Sequence, residues 1–136
     1  AGIKIGVFGI GVALKGLVSE DKYGNTRYLD PIITANKIAS ELKSKACDLV
    51  ICLSHLGFEY ENKSINSDRK LAAESQNIDL ILGGHTHTFF DKPLVLQNLK
   101  NKDVLVNQVG WGGVYLGRID IDVESGFFQA EKICVE

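Results

Sequence analysis

Through the first half of the chain, apolar residues come in short dense runs separated by polar and turn-forming residues. Ile3 to Ile10 is one such run, rich in β-branched side chains and punctuated by Gly6 and Gly9, and it predicts a buried strand. Gly11 to Gly24 is looser. Tyr23-Gly24-Asn25-Thr26 has the composition of a turn, and Tyr28-Leu29 reads as a short extended piece. From Asp30 the period changes. Ala35, Ile38, Ala39 and Leu42 recur at spacings of three and four, which puts one apolar stripe along a helix. Asp30 suits the N-cap because a carboxylate accepts from a free backbone N–H, and Pro31 suits the first helical position because its missing donor is not needed there. Lys43 and Lys45 fall near the helix end, where positive charge suits the dipole.

Asp48-Leu49-Val50-Ile51-Cys52-Leu53 is almost continuously apolar, which predicts a strand buried on both faces, as in a parallel sheet. Phe58 to Asn66 is polar and reads as a loop. Ser67 then caps a second helix, Asp68 to about Gln76, with Leu71, Ala72 and Ser75 facing inward and Asn77 in the left-handed conformation that ends it. Asp79 to Leu82 is the next strand. This alternation of strands and helices predicts right-handed crossovers and parallel pairing.

Beyond His87 the runs shorten. Leu94-Val95-Leu96, Val104-Leu105-Val106, Tyr115 to Val123 and Phe127 to Val135 are strand-like, with short connections. Ile119, Ile121 and Val123 alternate with Asp120 and Asp122, so one face is buried and the other wet. Glu124-Ser125-Gly126 makes the hairpin turn into the last strand. The expected class is therefore α/β, a parallel βαβ first half followed by an antiparallel layer.

Composition narrows this picture. A chain of 136 residues fits one domain. With 45% hydrophobic and 24% charged residues it has the balance of a folded protein rather than a disordered one. The net charge of −2, with scattered basic residues, gives no surface for a nucleic acid or an anionic membrane. No apolar run reaches the roughly 18 residues of a transmembrane helix, and no signal peptide is visible. The absence of any Met suggests a mature or trimmed segment of something longer. Cys47, Cys52 and Cys134 match neither a zinc ribbon nor a disulfide framework, and each lies in or beside an apolar run, as small buried hydrophobes do.

Candidate chemistry gathers in one stretch, Asp79-Leu80-Ile81-Leu82-Gly83-Gly84-His85-Thr86-His87. A buried strand ending in glycines presents imidazoles at its carboxyl edge, where open α/β sheets place their chemistry. The third histidine of the chain, His55, follows the Asp48–Leu53 strand in the same grammar: Asp-Leu, apolar residues, a small residue, His. If the two strands are adjacent, His55, His85 and His87 come together as metal ligands. Plain structural histidines are the alternative. A zinc peptidase is disfavoured because there is no His-Glu-x-x-His. Ser54 adjoins His55, but Gly-x-Ser-x-Gly is absent, which disfavours a serine hydrolase. Gly83 and Gly84 make a tight turn and let backbone approach a bound group closely. Trp111 and Asn107 read as loop residues over the sheet edge, and Arg118 and Glu59 as surface or loop residues.

Ser54-His55-Leu56-Gly57 followed by Gly84-His85-Thr86-His87 resembles the calcineurin-like metallophosphoesterases, and within them the 5′-nucleotidase branch. The resemblance runs from about Ile3 to Val123 and includes Val109-Gly110-Trp111-Gly112-Gly113-Val114-Tyr115-Leu116-Gly117-Arg118. It implies a two-sheet sandwich flanked by helices. It also implies two divalent cations, Zn, Mn, Mg or Fe, at the strand ends, with His55 and His85 binding one metal and His87 the other. The implied activity is hydrolysis of nucleotide phosphomonoesters or another small phosphate ester through a metal-bridging hydroxide. The family's upstream Asp-x-His, Gly-Asp and Gly-Asn-His-Glu/Asp have no counterpart here. Residues 1–136 are accordingly expected to be the C-terminal half of a catalytic domain, without its N-terminal half or the nucleotide-binding domain that follows. No catalytic residue is assigned within them, and the isolated chain is expected to be inactive and prone to self-association. Two alternatives stand: part of a cyclic-nucleotide phosphodiesterase or nucleotide-sugar hydrolase, and a non-catalytic module with a mononuclear His site. Relatives in this branch imply a periplasmic or cell-surface location.

Overall fold

A computed structural model describes residues 2–135. The elements are β1 (Ile5–Gly11), α1 (Glu20–Tyr23), α2 (Pro31–Ser44), β2 (Leu49–His55), α3 (Asp68–Glu74), β3 (Leu80–Leu82), β4 (Leu94–Gln97), β5 (Asp103–Asn107), β6 (Tyr115–Ile121) and β7 (Phe128–Cys134). Five strands form a mixed sheet in the order β1-β2-β3-β5-β4, and β6 and β7 form a separate antiparallel pair. β1, β2, β3 and β5 run parallel, and β4 is the antiparallel edge. The register sets Leu53 beside Leu82 and Leu82 beside Asn107, so neighbouring strands end at one level.

The helix signals act as the sequence implies. The Asp30 side chain accepts from Ile33 N at 2.8 Å, with Pro31 at the first position of α2. Ser67 Oγ accepts from Lys70 N at 3.2 Å at the start of α3. The Asp-Leu pairs are braces at the amino ends of the strands. Asp48 Oδ2 accepts from Lys4 N at 2.7 Å, and Asp79 Oδ2 accepts from Val50 N at 2.7 Å and from Lys43 Nζ at 2.9 Å.

One face of the sheet carries the core. Phe8, Val50, Cys52, Ile81, Val104 and Val106 share it and pack with Ile32, Ala35 and Ala39 of α2 and Leu71 and Ala72 of α3. Both helices lie on this face. The expectation that β2 is buried on both sides therefore needs correction. On the other face Ile5 and Val7 are each 53% exposed and Leu53 is 48% exposed. The alternation in β6 is present but shallow, with Ile119, Ile121 and Val123 only half-buried.

Three other expectations change. Val104-Leu105-Val106 was expected in the antiparallel layer, but β5 joins the first sheet parallel to β3. Cys134 is exposed, because it ends a strand of the small hairpin rather than of the core, while Cys47 and Cys52 are buried. The Gly11–Gly24 segment contains the short helix α1, whereas Tyr28-Leu29 forms no strand.

Candidate metal centre

His55 is the last residue of β2, and Gly83-Gly84 follows the last residue of its neighbour β3. The two glycines make room for different side chains. A Cβ on Gly84 would sit 3.0 Å from His55 Nδ1, and one on Gly83 would collide with Asp68 Oδ2. With no side chain in the way, the His55 ring lies against the turn and meets His85 edge to face, ring centroids 5.1 Å apart and planes at 72°. His85 and His87 both have positive φ, 76° and 54°. Each such L-residue costs on the order of 1 kcal/mol. The turn sends the two imidazoles apart. His85 goes to His55, and His87 stacks on Trp111 with centroids 5.9 Å apart and planes at 25°.

A buried amide holds this turn. Gln108 Nε2 donates to Gly84 O at 2.9 Å, and its Oε1 accepts from Thr88 N and, at 3.2 Å, from Thr86 Oγ1. Thr86 Oγ1 also accepts from Phe58 N at 2.9 Å, which ties the loop after β2 to the loop after β3. Backbone bonds add to this, Gly83 N to Asn107 O at 2.8 Å and Phe90 N to Gln108 O at 3.0 Å.

Behind the glycines lies a carboxylate. Asp68, fully buried, accepts from Ser54 Oγ through Oδ1, while its Oδ2 has no hydrogen-bond partner among the described residues. Burial pushes its pKa up to about 6, against the opposing effect of the Ser54 bond. Burial, and then the nearby Asp68 charge, raises the Cys52 thiol to about 12 and lifts the Tyr60 phenol as well. The Ser54 hydroxyl is committed to this arrangement, since it also accepts from Leu56 N at 3.2 Å. It is an anchor for the end of β2 beside His55.

Sequence patterns pointed to the histidines and glycines as candidates, but not to Gln108, nor to the burial of Asp68. A polar residue directly after the apolar Val104-Leu105-Val106 strand was the available signal for Gln108, by analogy with Ser54 at the end of β2. Asp68 stands in the first turn of α3, where an acid suits the helix dipole, so its residue type alone does not mark it. Trp111, read as a loop aromatic over the sheet edge, touches the predicted site.

His55 and His85 are spaced as two imidazoles sharing one cation would be. Two imidazoles bound at ~2.1 Å to one ion at a tetrahedral angle have ring centres on the order of 5 Å apart, close to the 5.1 Å seen here. Neither ring takes part in a hydrogen bond around the turn, whose bonds run through Thr86, Thr88 and Gln108. The ligand set is partial. Among the described residues no group of three or more His, Cys, Asp or Glu side chains is arranged to hold a metal ion. A cleft of about 480 Å³ opens beside His85, lined also by Leu17, Tyr28, Leu56 and Tyr60. A larger cavity of about 780 Å³ lies at the opposite end of the strands. It is rimmed by Asp48, Asp120, Asp122 and Glu124 and has no histidine.

The mixed sheet with imidazoles at its carboxyl edge defines an α/β protein with a strand-end site. No protein-family model matches the chain. Over 96% of its length it is 33% identical to the trifunctional nucleotide phosphoesterase YfkN of Bacillus subtilis, of which it spans 9%. It is 29% identical to an apyrase of Anopheles gambiae over 89% of the chain and 23% of that protein. Among solved structures, the 5′-nucleotidase precursor of Thermus thermophilus superposes with a TM-score of 0.66 at 30% identity, covering 78% of this chain and 23% of that one. The NAD nucleotidase of Haemophilus influenzae shares the fold, with a TM-score of 0.67 at 23% identity over 87% of this chain and 22% of that one. The chain is a relative of the 5′-nucleotidase-type metallophosphoesterases, as Gly84-His85-Thr86-His87 implied, and it matches a segment of each rather than the whole.

Proposed function

We propose that this chain supplies one side of a dinuclear centre that hydrolyses nucleotide phosphomonoesters, His55 and His85 holding one divalent cation and His87 the other. The observation that carries this is the edge-to-face His55–His85 pair at the carboxyl ends of adjacent parallel strands. The stacking of the His87 ring on Trp111, away from the His55–His85 pair, supports its assignment to a second ion. A divalent pair, when bound, polarises a phosphate oxygen and acidifies a water. The chain's own residues orient the ligands: Gly84 admits the His55 ring, Gln108 and Thr86 hold the turn, and Ser54 and Asp68 anchor the end of β2.

The nucleotide substrate class is supported by the names of YfkN and the Thermus 5′-nucleotidase precursor. Residues 1–136 then form part of a metallophosphoesterase domain. The bridging carboxylate and the leaving-group histidine implied by the resemblance have no counterpart in the chain. The chain by itself is therefore expected to bind metal weakly or incompletely and not to turn over substrate. A periplasmic or cell-surface location accompanies this reading.

Equilibrium dialysis with Zn²⁺ and Mn²⁺, together with release of phosphate from adenosine 5′-monophosphate, tests both parts. The expected result is that uptake at the site shared by His55 and His85 is lost in His55→Ala and His85→Ala, with no phosphate release by any form. Unchanged uptake in both variants overturns the ligand assignment. Phosphate release abolished by His85→Ala overturns the expected inactivity of the chain.

A further inference from the structure

We propose that the free edge of β1 is a docking surface for a second copy of this chain, the two β1 strands pairing antiparallel about a two-fold axis at Val7 and joining their sheets into one. β1 is an outer strand of the five-stranded sheet, and among the described residues no strand pairs with its far side. The register shows which backbone groups are free. Leu49, the partner of Ile5, donates its N–H to Lys4 O at 3.4 Å. Residues that bond to a given neighbour alternate along a strand, so Lys4, Gly6, Phe8 and Ile10 turn their N–H and C=O groups to β2. Ile5, Val7 and Gly9 turn theirs outward, where no loop backbone among the described residues reaches them.

This edge carries none of the usual guards. Edge strands are blunted by a charge, a proline, a bulge or a short length. Ile5-Gly6-Val7-Phe8-Gly9-Ile10-Gly11 has seven residues and neither a charge nor a proline. The opposite edge differs, since β4 has four residues and follows Lys92-Pro93. What favours a second copy over any other strand is that the β1 sequence fits itself. Pairing through Val7 sets Ile5 opposite the second copy's Gly9, and Phe8 opposite its Gly6, so each of these large side chains meets a glycine. The nearest charge along the chain, Lys4, falls opposite Ile10 rather than another Lys4, so like charges do not meet. Val7 falls opposite Val7, and the half-exposed Ile5 and Val7 of each copy cover part of each other's apolar surface. A Cβ on Gly9 would meet only Leu53 O at 3.8 Å, and one on Gly11 nothing within 4 Å, so that face of the strand is open.

Edge pairing makes a prediction that packing through the exposed face does not. It ties up the outward N–H groups of Ile5, Val7 and Gly9, which in the monomer are free to exchange with solvent. Val7→Pro removes one outward donor and leaves the bonds to β2 in place, as proline on a sheet edge can. Val7→Lys brings two ammonium groups together at the axis. Both variants are expected to stay monomeric.

Light scattering of the 136-residue chain over a range of concentrations, with amide hydrogen exchange followed residue by residue, tests the proposal. Circular dichroism confirms that each variant is folded. The mass is expected to rise towards that of a dimer, with the Ile5, Val7 and Gly9 amides exchanging about tenfold more slowly, or slower still, than in dilute solution. The Gly6, Phe8 and Ile10 amides, bonded within the sheet, are the internal reference. A dimer in which the three outward amides exchange as fast as in dilute solution overturns the proposal, because it is then held by the exposed face. A monomer at every concentration overturns it too, as does a Val7→Lys variant that dimerises as strongly as wild type.

Discussion

Asp68 is the residue on which this site presses hardest. Its carboxyl group is fully buried, one oxygen is unpartnered, and Gly83 is a glycine because Asp68 occupies the space of a Cβ. Burial raises its pKa from 3.8 to about 6, so the folded state prefers the neutral form. The stability that goes with the neutral form is full below pH 3.8 and is lost as the pH rises through 6. A shift of this size amounts to about 3 kcal/mol. Asp68→Asn, which stays neutral, lacks that dependence. Urea unfolding of both proteins at pH 4 and pH 7 should show the wild type losing stability relative to Asp68→Asn by up to that amount. Parallel curves would mean that Asp68 ionises as easily folded as unfolded. At this scale the histidines and glycines were legible because their chemistry is in their residue types. Asp68 and Gln108 were not, because burial of a polar side chain depends on neighbours distant in sequence, here β2 for the one and the β3 turn for the other.

Among the elements, those with a strong period or a cap signal were legible. α2 combines an apolar stripe with Asp30 and Pro31, and its bounds follow directly. α3 starts at Ser67 as expected but ends at Glu74, with Asn77 at φ of 63° only after two further residues. α1 was missed because a four-residue turn of helix with no buried residue has no apolar period. The direction of β5 was missed for another reason. A strand's own side chains encode which faces are wet, not which neighbour it joins, and β5 has four consecutive buried residues that suit a sheet interior. The cap argument gives a quantitative expectation. Asp30→Ala removes the acceptor for Ile33 N and should cost about 1 kcal/mol in thermal or urea unfolding, with metal uptake by His55 and His85 unchanged. A loss far above that would show that Asp30 does more than cap α2.

For the molecule as a whole, the exposed sheet face is the dominant feature. Ile5 and Val7 of β1 and Leu53 of β2, which pairs with Gly9, are each about half exposed on one face, while α2 and α3 pack on the other. Contiguous apolar surface of this kind favours association, and β1 also presents an unpaired edge. Light scattering of the chain at high concentration should therefore give a mass above that of the monomer. Val7→Lys and Leu53→Lys should return it towards the monomer without changing the circular dichroism. A monodisperse monomer of the unmodified chain at all concentrations would remove the expectation. The sequence indicated apolar strands but not which face would be covered, since a continuous apolar run carries no alternation to distinguish its two sides.

The left-handed backbone at His85 and His87 has a consequence for how such a turn persists. At φ of 76° and 54° the residue that suits the chain best is glycine, and asparagine next. Every imidazole retained there opposes the local preference of the backbone. Under selection for folding alone, these two positions would drift towards glycine, leaving a turn of the same shape and greater stability. Two histidines held against that preference are what the proposed role of this turn in binding metal would require.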